Sequence, residues 1–167
     1  MKRAVFYYTY DGSSAVAAGI IAQKTGADII ELEEAKPRKK GGAAFMRAAF
    51  GALFGAKSRL KPGILEKAAG YEGIIVISPV WASKTVPAVN SLLAQKLSGK
   101  EVWAVTVQAD PDFRDSAQVL DSIRSRAEAA GATWRGGAAA LGAAPGKTAS
   151  AEDMPLSLGD FISGLQS

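Results

Sequence analysis

Residues 73–78 read Gly-Ile-Ile-Val-Ile-Ser, an unbroken β-branched run that Pro79 closes. Neither face of such a strand suits water. A strand apolar on both faces belongs in the middle of a parallel sheet, with helices above and below it. The rest of the chain falls into step with that demand. Residues 4–8 form a short apolar and aromatic strand. A helix follows, capped by Ser13 or Ser14 and stopped at Gly26, with Ala15, Val16, Ala18, Gly19, Ile20 and Ile21 on its packed side. Residues 27–33 alternate well enough for a second strand. Val86, Val89, Leu92, Leu93 and Leu97 lie at helical spacing, and residues 100–107 make another strand. Residues 116–130 form a long helix with Val119, Leu120, Ile123 and Ala127 inward and Gly131 as its stop. Residues 132–141 are a weaker strand, softened by Gly136 and Gly137, and 142–153 are a surface loop. Residues 156–165 close the chain as a helix with Leu158, Phe161, Ile162 and Leu165 on one face. Five strands alternating with helices select an α/β fold with a parallel sheet and right-handed crossovers.

What the chain lacks narrows its chemistry. Its 167 residues contain no cysteine and no histidine. Thiolate metal sites, cysteine nucleophiles and any Ser-His-Asp triad are excluded, and the usual general base is gone. No acidic cluster suits a hard cation; Glu31, Glu33 and Glu34 read as solvated charges at a strand end. No catalytic side chain stands out, so chemistry here calls for a cofactor. Residues 4–6 are too short an apolar run for a signal peptide after Met1-Lys2-Arg3, and no apolar stretch reaches 18 residues. The expected location is cytoplasmic.

In an open doubly wound sheet, ligands sit beyond the carboxyl ends of the strands. Three loops lie there. The first, Thr9-Tyr10-Asp11-Gly12-Ser13-Ser14, offers three hydroxyls and backbone N–H groups at a helix start, which suits a phosphate monoester. It has no Lysine, so it is no Walker loop; its plain alternative is an ordinary turn with a serine cap. The second, Pro79-Val80-Trp81-Ala82-Ser83, carries a Trp that nothing in the fold requires. It reads as an aromatic wall for a flat ring, or as cover for a strand edge. The third runs from Gln108 and Ala109 to Phe113. It offers polar groups for a ring edge and a second apolar surface, or simply a turn capping the next helix through Asp110 or Asp112.

These residues together resemble the flavodoxin-like FMN-binding proteins, across nearly the whole chain. The first loop resembles the family's phosphate loop. The stretch from Ser78 through Trp81 and Ser83 to Val86-Pro87-Ala88-Val89 resembles its second flavin loop. The third loop corresponds to the segment on the ring's other side. The resemblance implies a three-layer, doubly wound five-stranded sheet in the order 2-1-3-4-5. It also implies FMN as cofactor, held by Thr9, Tyr10, Asp11, Gly12, Ser13, Ser14, Pro79, Val80, Trp81, Ala82, Ser83, Gln108, Ala109 and Phe113. Asp11 stands where the family usually has Thr, and a carboxylate beside a phosphate dianion is unfavourable unless it points away. The third loop lacks the family's glycines and stacking Tyr. The implied function is electron transfer or flavin-dependent oxidoreduction, with a redox partner protein or a small acceptor. Two alternatives stand beside it: an NAD(P)H:quinone-type reductase, and a binding protein that has lost its flavin.

The charge of +4 is unevenly spread. Eight cations and no acid lie between Lys36 and Pro62, and the remainder carries 12 basic against 16 acidic residues. The chain therefore reads as one domain with a basic insert at about 36–62, and not as a nucleic-acid binder with a broad basic face. Within residues 43–57, Phe45, Met46, Ala49, Phe50, Leu53 and Phe54 share one face of an amphipathic helix. That face has three readings: packing on the sheet as the crossover, a homodimer contact or lid beside the flavin, and peripheral membrane contact.

Overall fold

The computed structural model describes residues 1–36, 55–152, 154 and 157–166. The apolar face expected over residues 45–54 lies outside them. β1 (Arg3–Tyr7), α1 (Ser13–Thr25) and β2 (Asp28–Glu31) come first. A 3-10 turn (Glu66–Gly70) precedes β3 (Gly73–Pro79), α2 (Pro87–Leu93) and β4 (Glu101–Gln108). Then come α3 (Ser116–Ala129), β5 (Thr133–Leu141) and α4 (Ser157–Gln166).

The strands form one sheet in the order β2-β1-β3-β4-β5, with every pair parallel. The β-branched run is the middle strand, and residues 73–78 are buried on both faces. Alternation sorts the core into two layers. Ala4, Phe6, Ile74, Val76, Val102 and Ala104 face α2 and α3, through Val89, Leu92, Val119 and Ile123. Val5, Ile75, Ile77, Trp103 and Val105 face α1 and α4, through Ala17, Ile21, Leu158 and Ile162. Each fully buried aliphatic side chain contributes about 1.5–3 kcal/mol, so these two layers carry the stability and leave the loops free for other work.

Glycines end the two long helices as the sequence implied. Gly26 sits at φ 70° and its N–H donates to Ala22 O. After α3, Gly131 is left-handed; its N–H donates to Glu128 O and that of Ala132 to Ala127 O, a Schellman ending.

Several expectations need correction. Neither Ser13 nor Ser14 caps α1: the N-cap is Gly12, and both serines are buried in the first turn. On α1, Ala18 and Ile21 are buried and Val16 and Ile20 pack partly buried against the core as expected, while Ala17 and Ala22 join the buried side and Ala15 and Gly19 do not. α2 spans seven residues, with Val86 at its N-cap and Leu97 buried beyond its end. Glu34 is buried rather than solvated: the Tyr8 hydroxyl donates to its Oε2 at 3.3 Å, and its backbone pairs with Leu60.

That last pairing anchors the far end of the insert. Ala35 N–H donates to Arg59 O and Lys61 N–H to Glu33 O. Ser91, on α2, binds Ser58 at both its N–H and its carbonyl, and Asn90 Nδ2 donates to Ala56 O. Residues 55–61 are thus strapped to α2 and to the end of β2.

Candidate functional site

β1 and β3 are neighbours, while the chain winds outward from β1 to β2 in one direction and from β3 to β4 and β5 in the other. The crevice at their carboxyl ends is the switch point where such sheets take ligands.

The first loop turns at Gly12, whose φ of 100° is left-handed. Thr9 Oγ1 accepts the Gly12 N–H at 2.9 Å and closes the turn. A Cβ at Gly12 would stand 2.8 Å from the Thr148 side chain, so glycine is required twice over, by conformation and by space. Thr148 arrives from the segment after β5: its hydroxyl donates to Asp11 O, and Ala149 N–H donates to Ser13 Oγ at 3.1 Å. This segment props the loop from behind. In front, the first N–H groups of α1, at Ser13 and Ser14, point out of the helix with no intrahelical acceptor.

The second loop is a tight reversal. Trp81 and Lys84 exchange both backbone hydrogen bonds at 3.0 Å. Ala82 and Ser83 between them have φ of 48° and 59°. This is the left-handed pair that a type I′ turn demands and that non-glycine residues adopt at a cost. The turn carries Trp81 into a sandwich of rings. Tyr8 and Tyr10 each meet it edge to face, with centroids 5.6 Å apart. Trp81 is 4% exposed. It covers the sheet edge and also lines the cleft.

The third loop begins at Gln108, held on either side: Val80 N–H donates to Val107 O and Gly142 N–H to Gln108 O. The Gln108 side chain is 9% exposed, and its Nε2 has no hydrogen-bond partner among the described residues. Leaving a buried donor unmatched costs about 1–3 kcal/mol. Beyond it, Asp110 accepts from the Asp112 and Arg114 N–H groups and from the Arg114 guanidinium. The hydrogen bonds from Arg114 come first among the causes that hold the Asp110 carboxyl below its usual range. Asp110 therefore organises the turn, while α3 itself has Asp115 at its N-cap with no side-chain cap bond.

The three loops meet in an open cleft of about 110 Å³. Of the residues named from the sequence, Tyr10, Asp11, Ser13, Ser14, Pro79, Val80, Trp81, Gln108 and Ala109 line it. Thr9, Gly12, Ala82, Ser83 and Phe113 are not in that lining. Thr9 and Gly12 shape the first loop from within, Ala82 and Ser83 form the tip of the second, and Phe113 (φ 51°) sits in the Asp110 turn. Sequence reasoning missed a fourth wall, made by Gly142, Ala143 and Pro145 beside Val107. The signal available was weak: an Ala- and Gly-rich stretch whose only oddity is its position after the last strand. Among the described residues, no group of acids could hold a metal ion and no helix is long and apolar enough to cross a membrane.

No protein-family model matches the chain, and neither does any curated protein. Solved structures do resemble it. A flavoprotein in complex with FMN from Lactobacillus acidophilus NCFM aligns at 18% identity and TM-score 0.66, over 83% of this chain and 92% of that one. Oxidised flavodoxin 2 from Bacillus cereus aligns at 17% identity and TM-score 0.61, over 99% and 98%. A flavodoxin from Streptococcus pneumonia TIGR4 aligns at 15% identity and TM-score 0.61, also over 99% and 98%. Likeness at these identities establishes the fold, and the fold is flavodoxin-like.

Proposed function

We propose that this chain binds FMN in the switch-point cleft and works as a flavodoxin-like redox protein. The observation that carries the reading is the polarity of the cleft from end to end. Ser13 and Ser14 at the start of α1 suit an anion-binding end; Trp81 with Gln108 and Ala109 suits an end for a flat, polar-edged ring. Phosphate, linker and ring occur in that order in FMN. The structural neighbour that contains FMN supports the same choice.

Bound FMN would supply one- and two-electron redox chemistry, which the side chains of this chain cannot. The chain's own part is to bind and shelter. Ser13 and Ser14 would hold the phosphate through backbone N–H and hydroxyl groups, aided by the positive end of α1. Trp81, locked by Tyr8 and Tyr10, offers a surface that does not have to be ordered on binding. The cleft opens to solvent, so an edge of the ring stays accessible to a redox partner protein or a small acceptor.

Asp11 lines the same cleft, and this one observation favours a second reading, a binding protein that does without flavin. Two measurements decide. Titration of the purified protein with FMN, read by flavin fluorescence, should give saturable quenching; none would remove the FMN reading. Asp11→Thr should then tighten FMN by several-fold, because it takes a carboxylate away from the phosphate end. Steady-state NAD(P)H oxidation with a quinone separates a reductase from a carrier.

A further inference from the structure

The segment after β5 lines the cleft at Gly142, Ala143 and Pro145, then runs on behind the first loop. Two of its residues, Thr148 and Ala149, bind partners 137 and 136 residues earlier in the chain. Their contacts converge on one short stretch. The peptide between Asp11 and Gly12 is held at both ends by threonine hydroxyls: Thr9 Oγ1 accepts its N–H at 2.9 Å, and Thr148 Oγ1 donates to its carbonyl. The N–H and C=O of a trans peptide point in opposite directions, so the two hydroxyls grip opposite edges of one plane. A peptide plane turns through compensating changes in ψ before it and φ after it. Here the residue after it is Gly12, at φ 100°, and glycine removes the steric barrier that would resist the turn. Thr148 also packs on this glycine: its Oγ1 and its Cγ2 would both stand 2.8 Å from a Cβ there.

One residue on, Ala149 N–H donates to Ser13 Oγ at 3.1 Å, and both residues are buried. That bond uses the serine oxygen as an acceptor and leaves the hydroxyl its single proton to give. Resting on the FMN reading, we propose that Thr148 is a positioning residue of the anion-binding end. It locks the 11–12 peptide, so the first loop stands in its ligand-binding form before a ligand arrives, and the chain thereby favours flavins that carry a phosphate. None of the three loops at the carboxyl edge supplies this lock; it comes from the segment that follows the last strand. A loop already ordered has little conformational freedom left to lose on binding. The effect is local, because Thr148 and Ala149 contact residues 11–13 and neither is in the lining of the cleft beside Trp81.

Two variants of the whole chain test this. Thr148 is exposed, so neither substitution opens the core. Thr148→Val keeps the shape and loses the hydroxyl; Thr148→Ser keeps the hydroxyl and loses the methyl. In the valine variant the Kd for FMN should rise about fivefold, the loss expected of one hydrogen bond. Its Kd for riboflavin, which lacks the phosphate, should stay within twofold of wild type. The serine variant should bind both flavins as wild type does. In the ligand-free protein, amide hydrogen exchange at Gly12 should be several-fold faster with valine and unchanged with serine. Equal weakening of FMN and riboflavin with valine, wild-type FMN affinity with valine, or unchanged exchange at Gly12 would each overturn the role given to Thr148. A wild type that binds neither flavin would overturn the FMN reading and this proposal with it, and exchange at Gly12, which needs no ligand, tells that failure from a failure of the lock.

Discussion

Trp81 and Gln108 enter one cleft in opposite conditions. Trp81 is satisfied before any ligand comes: two tyrosine edges hold its ring and a two-residue turn holds its backbone. Gln108 is also buried and fixed along its backbone, yet its Nε2 has no hydrogen-bond partner among the described residues. The contrast separates what the fold needs from what a ligand needs. An apolar ring is content with protein neighbours, because dispersion and burial ask for no particular partner. A buried N–H asks for an acceptor in one direction, and among the described residues none is in place for Gln108 Nε2.

The largest expected effect comes from removing the satisfied partner. Trp81→Ala should destabilise the ligand-free protein by about 3–5 kcal/mol, because it empties the space between Tyr8 and Tyr10. Urea unfolding checks this, and a loss below about 1 kcal/mol would mean that Trp81 serves the ligand alone, which breaks the comparison. Ser83→Gly should have a smaller and favourable effect. It releases a left-handed side chain worth about 1–2 kcal/mol, against about 0.5–1 kcal/mol of added chain entropy. A net gain of up to about 1.5 kcal/mol would show that the turn carries strain beneath Trp81; a loss would show that it is not strained.

The smallest effect tests a residue outside both loops. Tyr7 ends β1 on the face opposite Tyr8, and burial, followed by the Glu31 carboxylate that accepts from its hydroxyl, pushes its pKa up to about 12. The folded protein then holds its proton more tightly than the unfolded chain, whose tyrosine titrates near 10. Stability from this group is complete below pH 10 and declines as pH rises towards 12. Comparing urea midpoints of wild type and Tyr7→Phe across that range should show a shallower alkaline decline in the variant. The same slope in both would place the loss elsewhere.

Much of the fold was legible residue by residue. The run at 73–78 named the central strand because no other place buries both faces. Gly26 and Gly131 marked helix ends because only glycine is at ease there. Loops were harder, since a loop residue's role depends on neighbours distant in sequence. Ser13 looked like a cap until Gly12 took that place and Ala149, 136 residues on, donated to its hydroxyl. Glu34 looked solvated until Tyr8 and Leu60 closed over it. The wall of Gly142, Ala143 and Pro145 had no chemistry of its own to announce it.

What the amino-acid sequence determined by itself was the alternation of strands and helices, the central strand and the three loops at the strands' carboxyl ends, because periodicity and chain stops are local properties; the strand order was implied by the family resemblance and is seen in the fold. The absence of histidine and cysteine also removed the imidazole and thiolate roles from the chemistry open to the chain. Tertiary structure alone decided which loop residues face the cleft, that Trp81 is already paid for in protein contacts, and that the Gln108 donor is left over. Burial and hydrogen-bond partnership are relations between residues far apart in the chain, and no spacing in the sequence records them.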